Sequence, residues 1–483
     1  MLFNSIEFAI FLPLVFILYW SSLRKNLKAQ NLLILVASYV FYGWWDYRFL
    51  ALIALSSIID YGIGFKVAQS PNKTIAKRWL GLSLLSNLGM LGVFKYYDFF
   101  LHSLIAGLSG LGLSLDWPTL NIILPVGISF YTFQTLSYTI DIYRGKLEPS
   151  KDPVTFFAFV SFFPQLVAGP IERATHLLPQ FQQDRNFSPE AARQGLELIL
   201  WGLFKKVVIA DRLAPYVDVV FNSPENFSGI TVLIATVFFA FQIYCDFSGY
   251  SDIAIGTAKL FGFDLMVNFR TPYFSRSMKE FWSRWHISLS TWFRDYVYIP
   301  LGGNRTSTAR WLSNLLITFL VSGLWHGAAW TFVIWGAIHG GISAFEAWLM
   351  KIGRYPRGAG WIHRSATFII VCLAWIFFRA NNVEDAFDLI ASIPDNLIGQ
   401  ISSLSEFGMA LRSFIGARQE FIYSMLSFGL LISIDWLIGE ENFPHLMGRI
   451  PNWLRYTFYY LLAAWILYFG AFNQSAQFIY FQF

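Results

Sequence analysis

The chain is 483 residues long, 55% hydrophobic and only 13% charged, with a mean hydropathy of +0.49. A soluble domain carries about 25% charged residues, so this composition excludes a water-soluble protein and requires surrounding lipid. The formal net charge of +5 is spread over loops and not gathered on one soluble basic face, which excludes nucleic-acid binding.

Apolar stretches of roughly 17–22 residues, long enough to cross a ~30 Å hydrocarbon core, recur along the chain. In order they predict about twelve spans, near 8–22, 31–45, 49–66, 79–96, 122–143, 192–209, 229–248, 311–325, 329–349, 365–379, 421–438 and 456–472. The first stretch has no basic residues before it and is followed by Arg24, Lys25 and Lys28. That is the pattern of a retained helix with its N-terminus outside, not of a cleaved signal peptide. From this start the positive-inside rule places the basic loops near 73–78, 144–151, 270–310 and 351–357 in the cytoplasm. Both ends fall outside, and the acidic 380–420 segment is external.

Two regions do not read as spans. Segment 153–171 is apolar but broken by Pro164 and Gly169-Pro170, which predicts a re-entrant or interfacial helix pair enclosed by protein. Segment 249–310 is amphipathic and rich in Gly, Arg and Trp, which predicts short tilted helices and loops. No linker or internal repeat divides the chain, so residues 1–483 read as one polytopic unit. Cys245 and Cys372 lie in apolar surroundings and are expected to be free thiols.

The stretch from Gln242 to Gly340 holds the candidate chemistry. His326 interrupts an apolar run in VSGLWHGAAWTFVIWGAIHG, and His286 lies in FWSRWHISLSTWFRDYVYIPLGGNR. An ionisable residue at membrane depth marks a functional site by default. With an ordinary pKa near 6.5, a neutral imidazole can take a proton from an attacking hydroxyl; alternatively, His326 is a hydrogen-bonded histidine joining two helices. Trp285, Trp325 and Ser288 flank the pair.

The block Arg276, Lys279, Arg284, Arg294, Arg305 and Arg310 also has two readings: topogenic charge, or a phosphate-binding site for a donor. On the second, Arg284, Arg294, Arg305, Lys279 and Asn304 are the donor residues, with Lys205, Lys206 and Arg173 in reserve. Asp246 and Asp252 either pair with those arginines or orient a histidine. No HExxH, CxxC or close His/Asp spacing occurs, so no metal is expected.

The runs QIYCDFSGYSDIAIGTAKLFGF, FRTPYFSRSMKEFWSRWHISLSTWFRDYVYIPLGGNR and GLWHGAAWTFVIWGAIHG closely resemble the membrane-bound O-acyltransferase (MBOAT) family. Within that family they resemble the bacterial branch containing alginate O-acetyltransferase and the D-alanyl transfer protein of teichoic acids. MLFNSIEFAIFLPLVFILYW, LPVGISFYTFQTLSYTIDIYRG and FFPQLVAGPIERA extend the resemblance over nearly the whole chain. The resemblance implies an all-α integral-membrane fold with tilted and re-entrant helices around a central tunnel. It implies an essential histidine at WHG, His326, and a second functional histidine at RWHIS, His286. It further implies acyl transfer from a cytoplasmic thioester, acetyl-CoA by precedent, toward an exported polysaccharide. A periplasmic or membrane-anchored SGNH-type partner would complete the reaction at the bacterial inner membrane. A transporter, or a silent subunit of an export complex, is the rival reading; the clustering of intramembrane polar residues in one region argues against the first.

Overall fold

The computed structural model describes residues 1–113, 117–120, 124–356, 360–472 and 478–479, and its regular structure is helical throughout. Two compact units emerge: residues 1–196 with 254–266, and residues 197–253 with 267–483.

The first unit contains α1 (Ile6–Ile17), α2 (Leu27–Gly43), α3 (Leu50–Ala68), α4 (Lys73–Leu91), α5 (Tyr97–Gly110), α6 (Ile128–Tyr143), α7 (Pro153–Ser161), α8 (Ala174–Phe181) and the start of α9 (Pro189–Leu203). Asn26, Asn72 and Asp152 begin α2, α4 and α7, each accepting a backbone N–H of the first turn, as short polar side chains do at helix starts. Some of the interior polar groups satisfy one another. Asp60 of α3 accepts from Ser83 (2.6 Å) and Asn87 (2.7 Å) of α4.

The predicted helix pair at 153–171 is only half present. α7 forms, but residues 162–173 run as buried turns and extended backbone. Pro164 and Pro170 remove helix donors, and where the helix breaks buried side chains pair with the backbone: Ser38 Oγ accepts from Phe163 N–H (3.0 Å), and Gln134 Nε2 donates to Phe159 O (2.6 Å). Irregular backbone is tolerated at membrane depth under this condition.

The second unit contains the end of α9, α10 (Asp211–Phe221), α11 (Ile230–Leu260, which ends in the first unit), α12 (Met278–Arg284), α13 (Ile287–Phe293), α14 (Thr308–His326), α15 (Trp330–Lys351) and α16 (Gly360–Arg379). It continues with α17 (Val383–Ser392), α18 (Leu397–Ser402), α19 (Leu404–Arg412), α20 (Arg418–Ile438), α21 (Phe443–Gly448) and α22 (Asn452–Phe469). Residues 249–260, expected among the short tilted pieces, instead continue α11, because IAIGTAKL keeps helical apolar spacing past Gly249.

Helices stand at all twelve stretches where spans were predicted, residues 122 and 123 lying outside the described residues. Five of them are long and apolar enough to cross a membrane: Tyr47–Ala68, Ile230–Leu260, Trp330–Lys351, Gly360–Arg379 and Arg418–Ile438. The count of twelve is therefore not reached by length and composition. α11 is 78% buried over its apolar window and α15 only 28%, so α11 is a protein-facing helix while α15 leaves much of its apolar surface for lipid. Both cysteines are free and buried.

α14 and α15 meet backbone to backbone. A Cβ on Gly323 would strike the Phe332 carbonyl, one on Gly336 the Phe319 carbonyl, and one on Gly340 the Phe319 Cβ. Small residues allow this approach, and in lipid such packing replaces a hydrophobic driving force between helices. Gly336→Ala is expected to destabilise the protein by about 1–3 kcal/mol. Gly341→Ala, with open space around it, should leave the thermal midpoint of the detergent-purified chain unchanged or raised. Equal behaviour of the two variants in that assay would contradict the seam.

Candidate active site

α14 ends at His326 because Gly327 leaves the helix in extended conformation, where a Cβ would run into the Phe332 ring. The end of the helix thereby fixes the His326 ring, which is 5% exposed and packs 5.1 Å from Trp335 and 5.5 Å from Phe378.

His286 is placed by a different device. It joins α12 to α13 with φ 42° and ψ 54°, a left-handed conformation that costs a residue bearing a Cβ roughly 1–2 kcal/mol. Trp285 N–H donates to Phe281 O (2.8 Å) and Ile287 N–H to Asn268 O (2.9 Å). Ser288 Oγ donates to Asn268 Oδ1 (2.6 Å), and Asn268 Nδ2 to Ser251 Oγ of α11 (3.0 Å). Strain of this kind persists only where the surroundings over-determine it, and here buried Asn268 supplies the determinants. The His286 ring meets Phe247 edge-on at 4.5 Å and stands 6.5 Å from the His326 ring. Forty residues apart in sequence, the two imidazoles share one aromatic enclosure.

Burial, and secondarily His326, hold the His286 pKa well below its usual 6.5. The ring is neutral at physiological pH and can accept a proton or donate a hydrogen bond, according to tautomer. Among the described residues no cluster of three or more His, Cys, Asp or Glu side chains is placed to hold a metal.

A model of the membrane-bound O-acyltransferase family matches residues 149–384. A protein described as a probable alginate O-acetylase, AlgI, of Azotobacter vinelandii is 44% identical over 395 residues, 81% of this chain and 78% of its own length. The peptidoglycan O-acetyltransferase of Helicobacter pylori is 34% identical across 100% of this chain and 98% of its own. The chain belongs to the membrane-bound O-acyltransferase family. It is a multi-pass membrane O-acyltransferase. The teichoic acid D-alanyltransferase of Bacillus subtilis is a more distant relative, 28% identical over 58% of this chain and 77% of its own.

Around the two histidines of this MBOAT protein, the other expected residues separate into three groups. Trp285, Trp325 and Ser288 are buried with the histidines, Trp285 packing 5.1 Å from Phe269 and 5.0 Å from Trp375. Lys279, Arg294, Asn304 and Arg305 are exposed, Arg294 with its Nε 2.8 Å from Asp295. Asn304 and Arg305 follow a turn made by Gly302 and Gly303, both at positive φ.

Arg284 stands apart from that donor set. Its Nη2 is shared by Glu280 (2.6 Å) and Glu440 (2.7 Å), so two carboxylates already occupy the cation on which a phosphate would depend. Asp246 and Asp252 also depart from expectation, meeting neither arginines nor histidines among the described residues. Lys206 lies between Asp246 (2.6 Å) and Asp211 (2.8 Å), and Lys205 pairs with Asp252 at 2.6 Å. Both reserve lysines are thus buried partners of carboxylates, and Arg173 is buried in the first unit. Asp246 Oδ2 also accepts the Ile479 N–H (2.8 Å), while Phe478 lies 6.1 Å from Phe247. Sequence reasoning missed Asn268, Phe247 and this C-terminal contact, none of which carries a local signal. It also passed over His339, although WGAIHG presents it among apolar and small residues as WHG presents His326.

Two outcomes follow. A ring-resonance titration of His286 in lipid nanodiscs should show no protonation step between pH 8 and 6; a midpoint above 6 would contradict the enclosed, neutral ring. Lys206→Met leaves Asp211 and Asp246 buried without their cation and should cost about 3–5 kcal/mol, read as a lost or sharply lowered thermal midpoint.

Proposed function

We propose that this O-acyltransferase moves an acetyl group from acetyl-CoA, entering from the cytoplasm, toward an exported polysaccharide across the bacterial inner membrane. A periplasmic or membrane-anchored SGNH-type protein completes the transfer, and residues 1–483 work as one polytopic unit around a tunnel. His326 is the general base. As an acceptor hydroxyl oxygen attacks the thioester carbonyl, His326 takes its proton; as the C–S bond breaks, the departing thiolate receives that proton. General-base help of this kind is worth about 10²–10⁴-fold. His286 positions the thioester beside it.

The observation that carries this reading is the 6.5 Å pairing of the two imidazoles in a buried aromatic enclosure. Relatives named for alginate, peptidoglycan and teichoic acid support a polymer outside the cytoplasm, here an exported polysaccharide, as the final acceptor. The exposed Lys279, Arg294, Asn304 and Arg305 suit the donor's phosphates. Arg284, held by Glu280 and Glu440, serves the fold.

In sealed inverted vesicles given labelled acetyl-CoA, His326→Ala should cut transfer at least ~10²-fold while insertion is unchanged; retention of a tenth of the wild-type rate would exclude the base role. Arg305→Gln should raise the donor KM roughly tenfold or more, the value of a charge-assisted hydrogen bond. Arg284→Gln should lower yield and spare KM. The reverse pattern would move the phosphate site to Arg284.

A further inference from the structure

α15 carries a third histidine that the transfer chemistry above does not use. His339 is fully buried. Its ring centroid lies 4.7 Å from Trp335, 5.0 Å from Trp282 and 6.3 Å from Trp375, with Phe281 stacked at 6.2 Å. Five buried nitrogens of this cluster have no hydrogen-bond partner among the described residues: Nδ1 and Nε2 of His339, and Nε1 of Trp282, Trp335 and Trp375. Leaving such an atom unsatisfied costs about 1–3 kcal/mol, and here that cost recurs within one ring of the reacting centre, since Trp335 also packs on His326 at 5.1 Å.

The chemistry of the cluster limits what completes it. An indole N–H only donates, and a neutral imidazole offers one donor and one acceptor. The cluster therefore presents up to four donors and one acceptor between aromatic walls. A phosphate or carboxylate would be buried there without a counter-charge, at high cost. A flat, neutral group with a carbonyl oxygen and one N–H matches both the donor excess and the single acceptor. A secondary amide is such a group. In a pantetheine thioester the first amide is separated from the sulfur by two methylenes, so a thioester held at His326 carries that amide into the neighbouring ring layer.

We propose that His339, with the indoles of Trp282, Trp335 and Trp375, forms a subsite for the first amide of the donor's pantetheine arm. The subsite rests on the thioester-donor reading above and adds to it the means by which an arm is told from a plain alkyl chain. His339 is a positioning residue: it fixes where the thioester carbonyl stops beside His326.

The test compares two short acetyl donors on membranes containing the full chain, S-acetyl-N-acetylcysteamine, which keeps the amide, and S-butyl thioacetate, which lacks it. Initial rates of thiol release give kcat/KM for each. The wild type should favour the amide-bearing donor roughly tenfold or more. His339→Phe, which keeps the aromatic packing, should bring the ratio near one by raising KM for the amide-bearing donor alone, and His339→Gln should restore much of the preference. If His339→Phe does not accumulate, Trp375→Phe removes one donor and is read in the same way. A wild type that treats both donors alike, or variants that slow both equally, would overturn the subsite and leave the thioester reading standing. A wild type that cleaves neither thioester, nor acetyl-CoA, would overturn the thioester reading and this subsite with it.

Discussion

The seam between α14 and α15 governs the geometry of the second unit. Lipid gives two apolar helices no reason to prefer each other over acyl chains, so their pairing depends on contact close enough for dispersion forces to favour it. Glycines at 323, 336 and 340 bring the two backbones into that contact, and the relative height of the helices is then set. His326 at the end of α14 and Trp335 on α15 become neighbours as a result of this approach. The ring-to-ring layer that follows, through Trp335 to His339 and Trp375, inherits its spacing from the same seam.

Charge inside the unit obeys a second constraint: each buried lysine stands against at least one carboxylate. Lys205 and Lys206 lie on a π-helical turn over Phe204–Ala210, and the wider turn directs two adjacent side chains to different carboxylates. Asp246 and Asp252 lie six residues apart on α11, so the pairs fasten that helix at two levels. Tyr244 donates to Asp435 of α20 (2.9 Å), adding a third helix to the network. Breaking any one of these would strand a charge or dipole where solvent cannot relieve it.

What the sequence disclosed, and what it withheld, divides along the range of the interaction. Helix positions were legible because apolar runs are local, and His326 stood out because Trp-His-Gly interrupts such a run, His286 because it lies in an amphipathic block of arginines and tryptophans. The partners of the charges were not legible. Arg284 looked available for a phosphate because its partner Glu440 is 156 residues away, and Asp246 looked like an orienting carboxylate because nothing local points to Lys206. The broken segment at 153–171 was recognised from its prolines, yet the side chains that satisfy its backbone, Ser38 and Gln134, come from α2 and α6. Asn268 had no signature, since an asparagine that holds a strained histidine resembles any other loop asparagine.

The left-handed backbone at His286 has a consequence for how this position can vary. A glycine there would relax the main chain and make folding easier, while an imidazole makes folding harder and delivers a ring into the enclosure. Foldability and ring placement therefore pull position 286 in opposite directions, and a sequence optimised for stability alone would discard the histidine first. The stability given up at this residue is the measure of how firmly the surrounding loop, through Asn268 and Ser288, must hold its shape.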